Sequence, residues 1–385
     1  MKTAICLHNA TVLTGFSIMH NCAVYIKNDK IADVYNEERF RQKKFSPKVK
    51  IIDVGGAYVM PGMIDTHIHG IGGAGADDAK EKSILHMSDT LPEYGVTSFI
   101  PTCCTATEPE LLKKIKAITR SIGKERGAHI LGIHLEGPFL SPERIGAQSA
   151  TGISPVDLPL MQRLCKACKG KLINMTVAPE LKGMRELALY CLEKNIVLQA
   201  GHTNATYDQM MEGLQAGIMH VTHLFNAMRP MHHREPGVVG AVLIHPEISC
   251  EIIGDGVHIN PNLIHLLLKS KPLSQIVLIT DALYPAKTDL SKTPDLYLDK
   301  CFYRKEDHVI NGSAISMLDG FRNLISWGIP IEKAVRMAST NPAQIMRQKT
   351  KGLLIPGYDA DVIVLDKDLN LIYTIIDGQF FKGKK

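Results

Sequence analysis

Residues 61–70 read PGMIDTHIHG, an apolar run that ends in two histidines just before a glycine-rich segment. Side chains two residues apart on a strand point to the same side, so His67 and His69 share one face. Two imidazoles placed in this way can bind one metal ion. The stretch therefore predicts a buried strand with metal chemistry at its carboxyl end.

The same pattern, an apolar run followed by polar residues, recurs along the middle of the chain. Continuous apolar runs are typical of parallel strands that are buried on both faces. Helical spacing separates most of these runs, as in LLKKIKAITRSIG and MRELALYCLEKN. Repeated strand–helix units predict an α/β fold, a (β/α)8 TIM-like barrel, over residues 57–352. The predicted strands are YVMPGMIDTHIH, VTSFIPT, HILGIHLEGPF, KLINMTVAPE, IVLQAGHT, HVTHLFNA, SCEIIGDGVH and SQIVLITDA.

The two ends of the chain have a different pattern. Residues 1–56 contain the strand-like segments AVYIKNDKIADVY and VKIIDVGG, and residues 353–385 contain ADVIVLDKDLNLIYTIIDGQFF. Paired terminal segments of this kind predict a small β-sandwich domain, formed by residues 1–56 and 353–385 together, beside the barrel.

Composition excludes several classes of protein. The 385 residues are 45% hydrophobic and 22% charged, as in ordinary globular proteins, and the net charge of +5 is too mild to indicate nucleic-acid binding. No signal-peptide pattern and no membrane-spanning run is recognisable, so neither a membrane nor a nucleic acid is expected as a partner. The nine cysteines are scattered and odd in number, which argues against a disulfide framework and favours the cytoplasm. Cys165 and Cys168 lack a second pair and are interpreted as packing residues.

Chemistry in such barrels gathers at the carboxyl ends of the strands. Imidazoles and carboxylates follow six of the predicted strands: His67 and His69, Glu136, His202, His223, Asp255 with His258, and Asp281. Any one of these histidines is more commonly a hydrogen-bonded core residue, but the whole set favours a metal site. Imidazole together with carboxylate suits Zn, Fe, Mn or Co. His134, His220 and His245 do not fit this pattern and are expected to be packing or surface residues.

A divalent ion lowers the pKa of its bound water to about 7. A carboxylate must then accept the proton of that water and pass it to the leaving group. Asp281, at the end of the eighth predicted strand, is the candidate for this general base and acid.

The chain resembles the N-acetylglucosamine-6-phosphate deacetylase family of the amidohydrolase superfamily, which implies that the (β/α)8 TIM-like barrel is a metal-dependent hydrolase barrel. The motifs PGMIDTHIHG, HLEGPF, AGHT, THLFNAM, HHREPG, DGVH and ITDA occur in the family's order, and the resemblance covers essentially the whole chain. The combination of HLEGPF, THLFNAM and REPG is specific to this family. The terminal GLLIPGYDADVIVLD is similar to the superfamily's return into its small β domain.

The resemblance implies roles for individual residues. Glu136, His202 and His223 resemble the ligands of the principal metal, while His67 and His69 match members that bind a second ion, so one or two divalent ions per subunit are expected. Asp281 resembles the general base and acid. Arg234 matches an arginine that binds phosphate in the neighbouring subunit's site, which implies a homodimer. The implied substrate-binding positions are Ala147, Gln148, Asn226, Ala227, Arg234, His258, Ile310, Asn311 and Gly312.

One segment departs from the family pattern. Many members have Lys-Gly-Ala/Thr-His after the HLEGP motif, where this chain has Ile145-Gly146-Ala147-Gln148. Gln148 can donate a hydrogen bond but carries no charge. The contacts of this loop with sugar or phosphate are therefore left open.

The implied activity is hydrolysis of N-acetyl-D-glucosamine 6-phosphate to D-glucosamine 6-phosphate and acetate, in amino-sugar catabolism or recycling. A basic loop, Arg229 with His232, His233 and Arg234, suits a phosphate, although a solvated turn has the same composition. Three alternatives are kept: the deacetylase of N-acetylgalactosamine 6-phosphate, an amidohydrolase for a different amide, which does not need HHREPG, and a non-catalytic scaffold. The scaffold is disfavoured because Glu136, His202, His223 and Asp281 are all present.

Overall fold

The computed structural model describes residues 4–293 and 296–383. Its first strands are β1 (Ala4–Leu13), β2 (Ile18–Lys27), β3 (Lys30–Asn36), β4 (Val49–Asp53), β5 (Tyr58–Pro61), β6 (Met63–Ile68), β7 (Gly70–Ile71), β8 (Ala74–Gly75), β9 (Val96–Cys103), β10 (His129–Ile130) and β11 (Ile133–Glu136). The later strands are β12 (Leu172–Val177), β13 (Val197–Ala200), β14 (His220–Val221), β15 (Ser249–Ile253), β16 (Ile276–Ile279), β17 (Tyr297–Leu298), β18 (Cys301–Tyr303), β19 (Ile310–Ser313), β20 (Val362–Leu365), β21 (Leu371–Ile376) and β22 (Gln379–Gly383).

The α-helices in the described residues are α1 (Glu37–Gln42), α2 (Glu81–Thr90), α3 (Glu108–Ser121), α4 (Leu158–Cys168), α5 (Met184–Glu193), α6 (Tyr207–Gln215), α7 (Gly237–Ile244), α8 (Pro261–Ser270), α9 (Met317–Ser326), α10 (Ile331–Val335) and α11 (Asn341–Ile345). Within this described part of the chain, no helix has the length and apolar composition that a membrane crossing requires.

The middle of the chain forms the predicted (β/α)8 barrel. Its parallel strands are paired in the order β6, β9, β11, β12, β13, β14, β15, β16, and the short β10 also pairs with β9, so that β10 and β11 together occupy the third position. The ring closes between its last and first strands: the Asp281 N–H donates to the His67 carbonyl at 2.9 Å, and the His69 N–H donates to the Ala282 carbonyl at 3.0 Å. The fold prediction is confirmed.

Helices α2 to α9 each follow one barrel position and cover it with an apolar face. In α9, Met317, Leu318, Phe321 and Leu324 are buried, at the spacing of one helix face. The Ser316 hydroxyl caps this helix by accepting a hydrogen bond from the Asp319 N–H. Covered strands of this kind are continuously apolar, which is why the sequence pattern identified them.

Strands from both chain ends form a separate eight-stranded sheet, in the order β22, β21, β20, β5, β1, β2, β3, with β4 beside β1. Val24 and Ile26 of β2 pack in one apolar cluster with Ile375 of β21. The sheet therefore curls over itself like a sandwich, and the predicted terminal β domain is confirmed. The limits assigned to the two domains, residues 57 and 352, remain predictions.

The prediction of YVMPGMIDTHIH as one strand is wrong. Tyr58–Pro61 pairs with β1 and β20 in the terminal sheet, whereas Met63–Ile68 pairs with β9 in the barrel. The chain passes from one sheet to the other at Gly62, where an added Cβ would lie 2.1 Å from the Thr97 hydroxyl oxygen. Only glycine allows this close approach to β9.

Candidate metal centre and active site

The polar residues of the strand ends meet at one cavity of about 240 Å³. His69, Glu136, His202, His223 and Asp281 line it, and His67 lies buried beside them. These six residues end or follow five strands of the parallel barrel, β6, β11, β13, β14 and β16, so the fold brings together side chains that are far apart in sequence.

Glu136, His202 and His223 form the first group of possible metal ligands. The Glu136 Oε1 atom is 3.0 Å from the Nε2 atom of His202 and 3.1 Å from that of His223. Both histidines directly follow short strands and have left-handed backbone, with φ of 46° and 27°. This conformation is uncommon for a residue with a side chain, and here it accompanies imidazoles that face the cavity.

His67, His69 and Asp281 form a second group. The Asp281 Oδ1 atom is 3.2 Å from His69 Nε2 and 3.5 Å from His67 Nε2. Glu136 lies between the two groups, because its Oε2 atom is 3.2 Å from His69 Nε2. The Glu136 carboxylate is thus placed where its two oxygens could bind a metal ion in either group.

The donor atoms of both groups fit a divalent ion. Two ligands about 2.0–2.2 Å from one tetrahedral ion lie roughly 3.4 Å apart, close to the distances between these nitrogens and oxygens. Among the described residues, His67 Nε2 and His223 Nδ1 are also buried without a hydrogen-bond partner. Buried polar atoms are normally satisfied, so the unpartnered His67 Nε2, which faces the second group, is consistent with a bound cation.

The charges of the two groups reinforce each other. Burial alone would raise the pKa of Glu136 and of Asp281, but the neighbouring imidazoles outweigh it, so the pKa of each carboxyl is lowered. Burial would likewise lower the pKa of His67, yet the carboxylates of Asp281, Glu136 and Glu251 raise it well above its ordinary value. Both Glu136 and Asp281 are therefore ionised at neutral pH, as a metal ligand and a proton acceptor must be.

Gln148 reaches the metal ligands from the loop that departs from the family pattern. Its Nε2 atom donates to Glu136 Oε2 at 2.6 Å. Its Oε1 atom accepts from the N–H of Thr105 at 2.9 Å and from the hydroxyl of the same residue at 3.0 Å. Gln148 thus keeps a hydrogen-bond donor on Glu136 without adding a charge.

Most of the remaining sequence-predicted site residues also border the cavity. They are Ala147, Asn226, Ala227, His258, Ile310 and Asn311. His258 is held by a contact of 2.5 Å between its Nδ1 atom and Asp255 Oδ2. Gly312 lies behind this wall, where an added Cβ would be 2.8 Å from the Asp281 carbonyl oxygen.

Arg234 is not brought into the cavity of its own chain. It lies on an exposed turn, where its Nη1 atom donates to His233 Nε2 at 2.8 Å. Its predicted place in a neighbouring subunit's site is therefore a matter for experiment.

Two residues near the ligands were missed by the sequence analysis. The Cys104 Sγ atom is 3.1 Å from His69 Nδ1, and Glu251 Oε2 is 3.0 Å from His67 Nδ1. Glu251 had a signal, since it is a charged residue inside the apolar run SCEIIGDG. As expected, His134 and His220 are buried within the barrel, while His245 is partly exposed and bonds to the Tyr207 hydroxyl.

Comparisons with known proteins agree with this geometry. Residues 58–381 match the model of the amidohydrolase family. The N-acetylglucosamine-6-phosphate deacetylase of Bacillus subtilis is 32% identical, over 98% of this chain and 97% of its own length. The human protein of the same name is 31% identical, over 96% and 94%.

Solved structures show the same similarity. A variant of the Mycobacterium smegmatis deacetylase in complex with N-acetyl-D-glucosamine-6-phosphate aligns with a TM-score of 0.89 at 29% identity, over 99% of both chains. The Pasteurella multocida enzyme aligns with a TM-score of 0.90 at 27% identity, over 99% of this chain and all of its own. With the family model and relatives of nearly equal length in agreement, the chain belongs to the amidohydrolase family, among the N-acetylglucosamine-6-phosphate deacetylases.

Proposed function

We propose that this protein hydrolyses the N-acetyl group of N-acetyl-D-glucosamine 6-phosphate, giving D-glucosamine 6-phosphate and acetate. The observation that carries the proposal is the pair of ligand groups on one cavity, in a chain that aligns over 99% of its length with a deacetylase bound to that sugar phosphate. The reaction serves amino-sugar catabolism or recycling in the cytoplasm.

Glu136, His202 and His223 would hold the principal divalent ion, and His67 and His69, with Asp281 beside them, would hold a second. Zn, Fe, Mn and Co all suit this set of nitrogen and oxygen donors. A divalent ion held there would polarise the amide carbonyl and lower the pKa of a bound water.

Asp281 moves the proton. Its ionised carboxylate accepts a proton from the attacking water and then donates it to the departing amine nitrogen, which is otherwise a very poor leaving group. Its carbonyl and N–H are fixed in the barrel by hydrogen bonds to Ser313 and His67, so the side chain is held in place at the cavity wall. The cavity around it limits the access of bulk water.

The sugar and its phosphate are bound away from the reacting amide. His258, fixed by Asp255, and the Asn226 amide orient the sugar, together with Ala147, Ala227 and the strand from Ile310 to Gly312. Arg234 binds the phosphate of the neighbouring subunit's substrate in a homodimer, as a guanidinium can grip a phosphate with two parallel hydrogen bonds. Binding energy from the phosphate then helps to orient the amide.

The test is acetate release from N-acetylglucosamine 6-phosphate, from the unphosphorylated sugar and from N-acetylgalactosamine 6-phosphate, each with and without a chelator. We expect rapid release from the first substrate only, abolished by the chelator and restored by divalent metal. Equal rates on the first two sugars would remove the phosphate role of Arg234. No release from any of the three sugars by metal-replete protein would overturn the proposal.

A further inference from the structure

Glu251 is a buried charged residue that has no part in the reaction described above. It lies in β15, inside the barrel and beneath the ligand groups, and is fully buried. Its Oε2 atom is 3.0 Å from the Nδ1 atom of His67. The other ring nitrogen of His67 faces Glu136 Oε1 at 3.7 Å and Asp281 Oδ1 at 3.5 Å. The His67 ring thus joins Glu251 to the second ligand group.

The Glu251 carboxylate is held in one orientation by other donors. Gln199 Nε2 donates to its Oε1 atom at 2.9 Å, and the His223 N–H donates to its Oε2 atom at 3.3 Å. Gln199 is oriented in turn, because its Nε2 atom also donates to the Thr222 hydroxyl at 3.1 Å. An ionised carboxylate only accepts hydrogen bonds, so His67 must carry its proton on Nδ1. When a cation displaces the proton on Nε2, the lone pair of that atom is directed at the metal site.

The other ligand histidines lack such a partner. His69 Nδ1 lies 3.1 Å from the Cys104 sulfur, and His202 Nδ1 lies 3.0 Å from the Ile145 carbonyl oxygen. A carboxylate on the far nitrogen of a histidine fixes the ring and makes it a stronger ligand for metal. Among the four ligand rings in the described residues, His67 is the one with a carboxylate at hydrogen-bond distance from its Nδ1 atom, the ring nitrogen that is turned away from the ligand groups.

The charge balance of the buried site also favours a second cation beside His67. One divalent ion offsets the two negative charges of Glu136 and Asp281. Glu251 adds a third negative charge that is shielded from water, and a buried charge is costly unless an opposite charge is near. In the metal-free site the protonated His67 ring is the opposite charge beside Glu251. A second divalent cation on the Nε2 side of the ring would replace the Nε2 proton and supply that charge through the imidazole.

We propose that Glu251 is a positioning residue that orients His67 and thereby secures a second divalent ion on the group formed by His67, His69 and Asp281. The inference concerns the same metal centre as the proposed function, but it predicts how many ions the protein binds rather than which substrate it cleaves.

The test compares Glu251→Gln with a control, Glu247→Gln, which removes the same charge from the exposed segment before β15. Each protein is stripped of metal and titrated with Co²⁺, following visible absorbance, and the bound metal is counted by mass spectrometry. We expect two ions in the wild type and in the control. In Glu251→Gln the first ion is kept and the affinity for the second falls by about 10- to 100-fold. Equal affinities in all three proteins, or a single ion in the wild type, would overturn the proposal.

A second measurement covers the case in which Glu251→Gln does not fold. Wild-type protein loaded with Zn²⁺ and labelled with ¹⁵N-histidine should show a hydrogen-bonded Nδ1 proton that is absent in His67→Asn, besides the one that His202 donates to the Ile145 carbonyl. A proton on Nε2 of His67 would contradict the inference. Acetate release is measured in parallel: two ions without acetate release would sink the proposed function alone, and one ion with acetate release would sink the role of Glu251 alone.

Discussion

Asp281 lies where a proton acceptor for amide hydrolysis is needed, at the cavity wall and 3.2 Å from His69 Nε2. Its pKa is lowered, since the two adjacent imidazoles outweigh the effect of burial. It is therefore already ionised under the conditions in which the protein works. Asn at this position keeps the shape and loses both the charge and the ability to take up a proton.

We expect Asp281→Asn to lower kcat for acetate release by about 10²–10⁴-fold, the usual contribution of general acid–base catalysis. The Glu136, His202 and His223 group is untouched, so the principal ion should remain, as counted by metal analysis. The control Asp208→Asn changes an exposed carboxylate in the first turn of α6 and should leave kcat unchanged. A fully active Asp281→Asn protein would show that another group carries the proton.

At the scale of single residues, the sequence predicts the candidate metal ligands better than it predicts the residues that orient those ligands through hydrogen bonds. His67, His69 and Glu136 are recognisable because strand ends have a fixed place in a barrel. Glu251 and Gln148 act through hydrogen bonds to His67 and Glu136, and such contacts depend on which rotamers meet across the barrel. No spacing in the chain encodes these contacts.

At the scale of elements, the transition between the two sheets depends on one glycine. Gly62 separates β5 from β6, and an added Cβ would lie 2.1 Å from Oγ1 and 2.3 Å from Cγ2 of Thr97. The apolar run YVMPGMIDTHIH has no visible break, so its pattern predicts one strand. The pattern indicates only that residues are buried, and both β5 and β6 are buried. The steric contact that divides the run comes from β9, which is distant in sequence.

We expect Gly62→Ala to lower the free energy of unfolding by about 1–3 kcal/mol, the usual cost of forcing an extra methyl into a packed core. Thr97→Ala in the same chain removes two of the three clashing atoms and should recover part of this loss. Thermal and urea unfolding of the two single variants and the double variant measure the effect. Simple additivity of the two single changes would show that Thr97 is not the obstacle.

At the scale of the whole molecule, a charged cluster joins the terminal sheet to the barrel. His129 of β10 lies 3.2 Å from Asp377 and 3.8 Å from Asp361, both from the terminal domain. The Lys351 ammonium lies 2.6 Å from Asp361, so this acidic group already has a cation of its own. Burial lowers the pKa of His129, but Asp377 and Asp361 raise it above its ordinary value overall.

The raised pKa gives this contact a definite pH dependence. A histidine whose pKa is higher in the folded state stabilises the fold fully below pH 6.5, and the contribution is lost as the pH rises through the folded-state pKa. Wild-type protein should therefore exceed His129→Gln in Tm by roughly 2–4 °C at pH 6, and by less at pH 8.5. Both proteins keep the same metal site, so its own pH dependence cancels in the difference. A Tm gap that grows with pH would contradict this assignment.

Arg234 raises the question of how many chains complete one site. The resemblance to the deacetylase family implies that it binds phosphate, and the fold places it on an exposed turn, outside the cavity of its own chain. Both statements hold if the arginine belongs to the partner's cavity in a homodimer. Contacts of this kind cannot be derived from one chain, because they depend on the symmetry of the assembly.

Subunit mixing tests this arrangement. Arg234→Ala and Asp281→Asn should each be nearly inactive on the sugar phosphate. In a mixed dimer, the subunit with intact Asp281 receives Arg234 from its partner, which restores one of the two sites. Half of randomly paired dimers are mixed, so co-expression should recover about a quarter of the wild-type activity. Pure mixed dimers, isolated through two different affinity tags, should recover about half. If Arg234 instead serves its own chain, every site in the mixture lacks one of the two groups, and the activity stays at the level of the single variants.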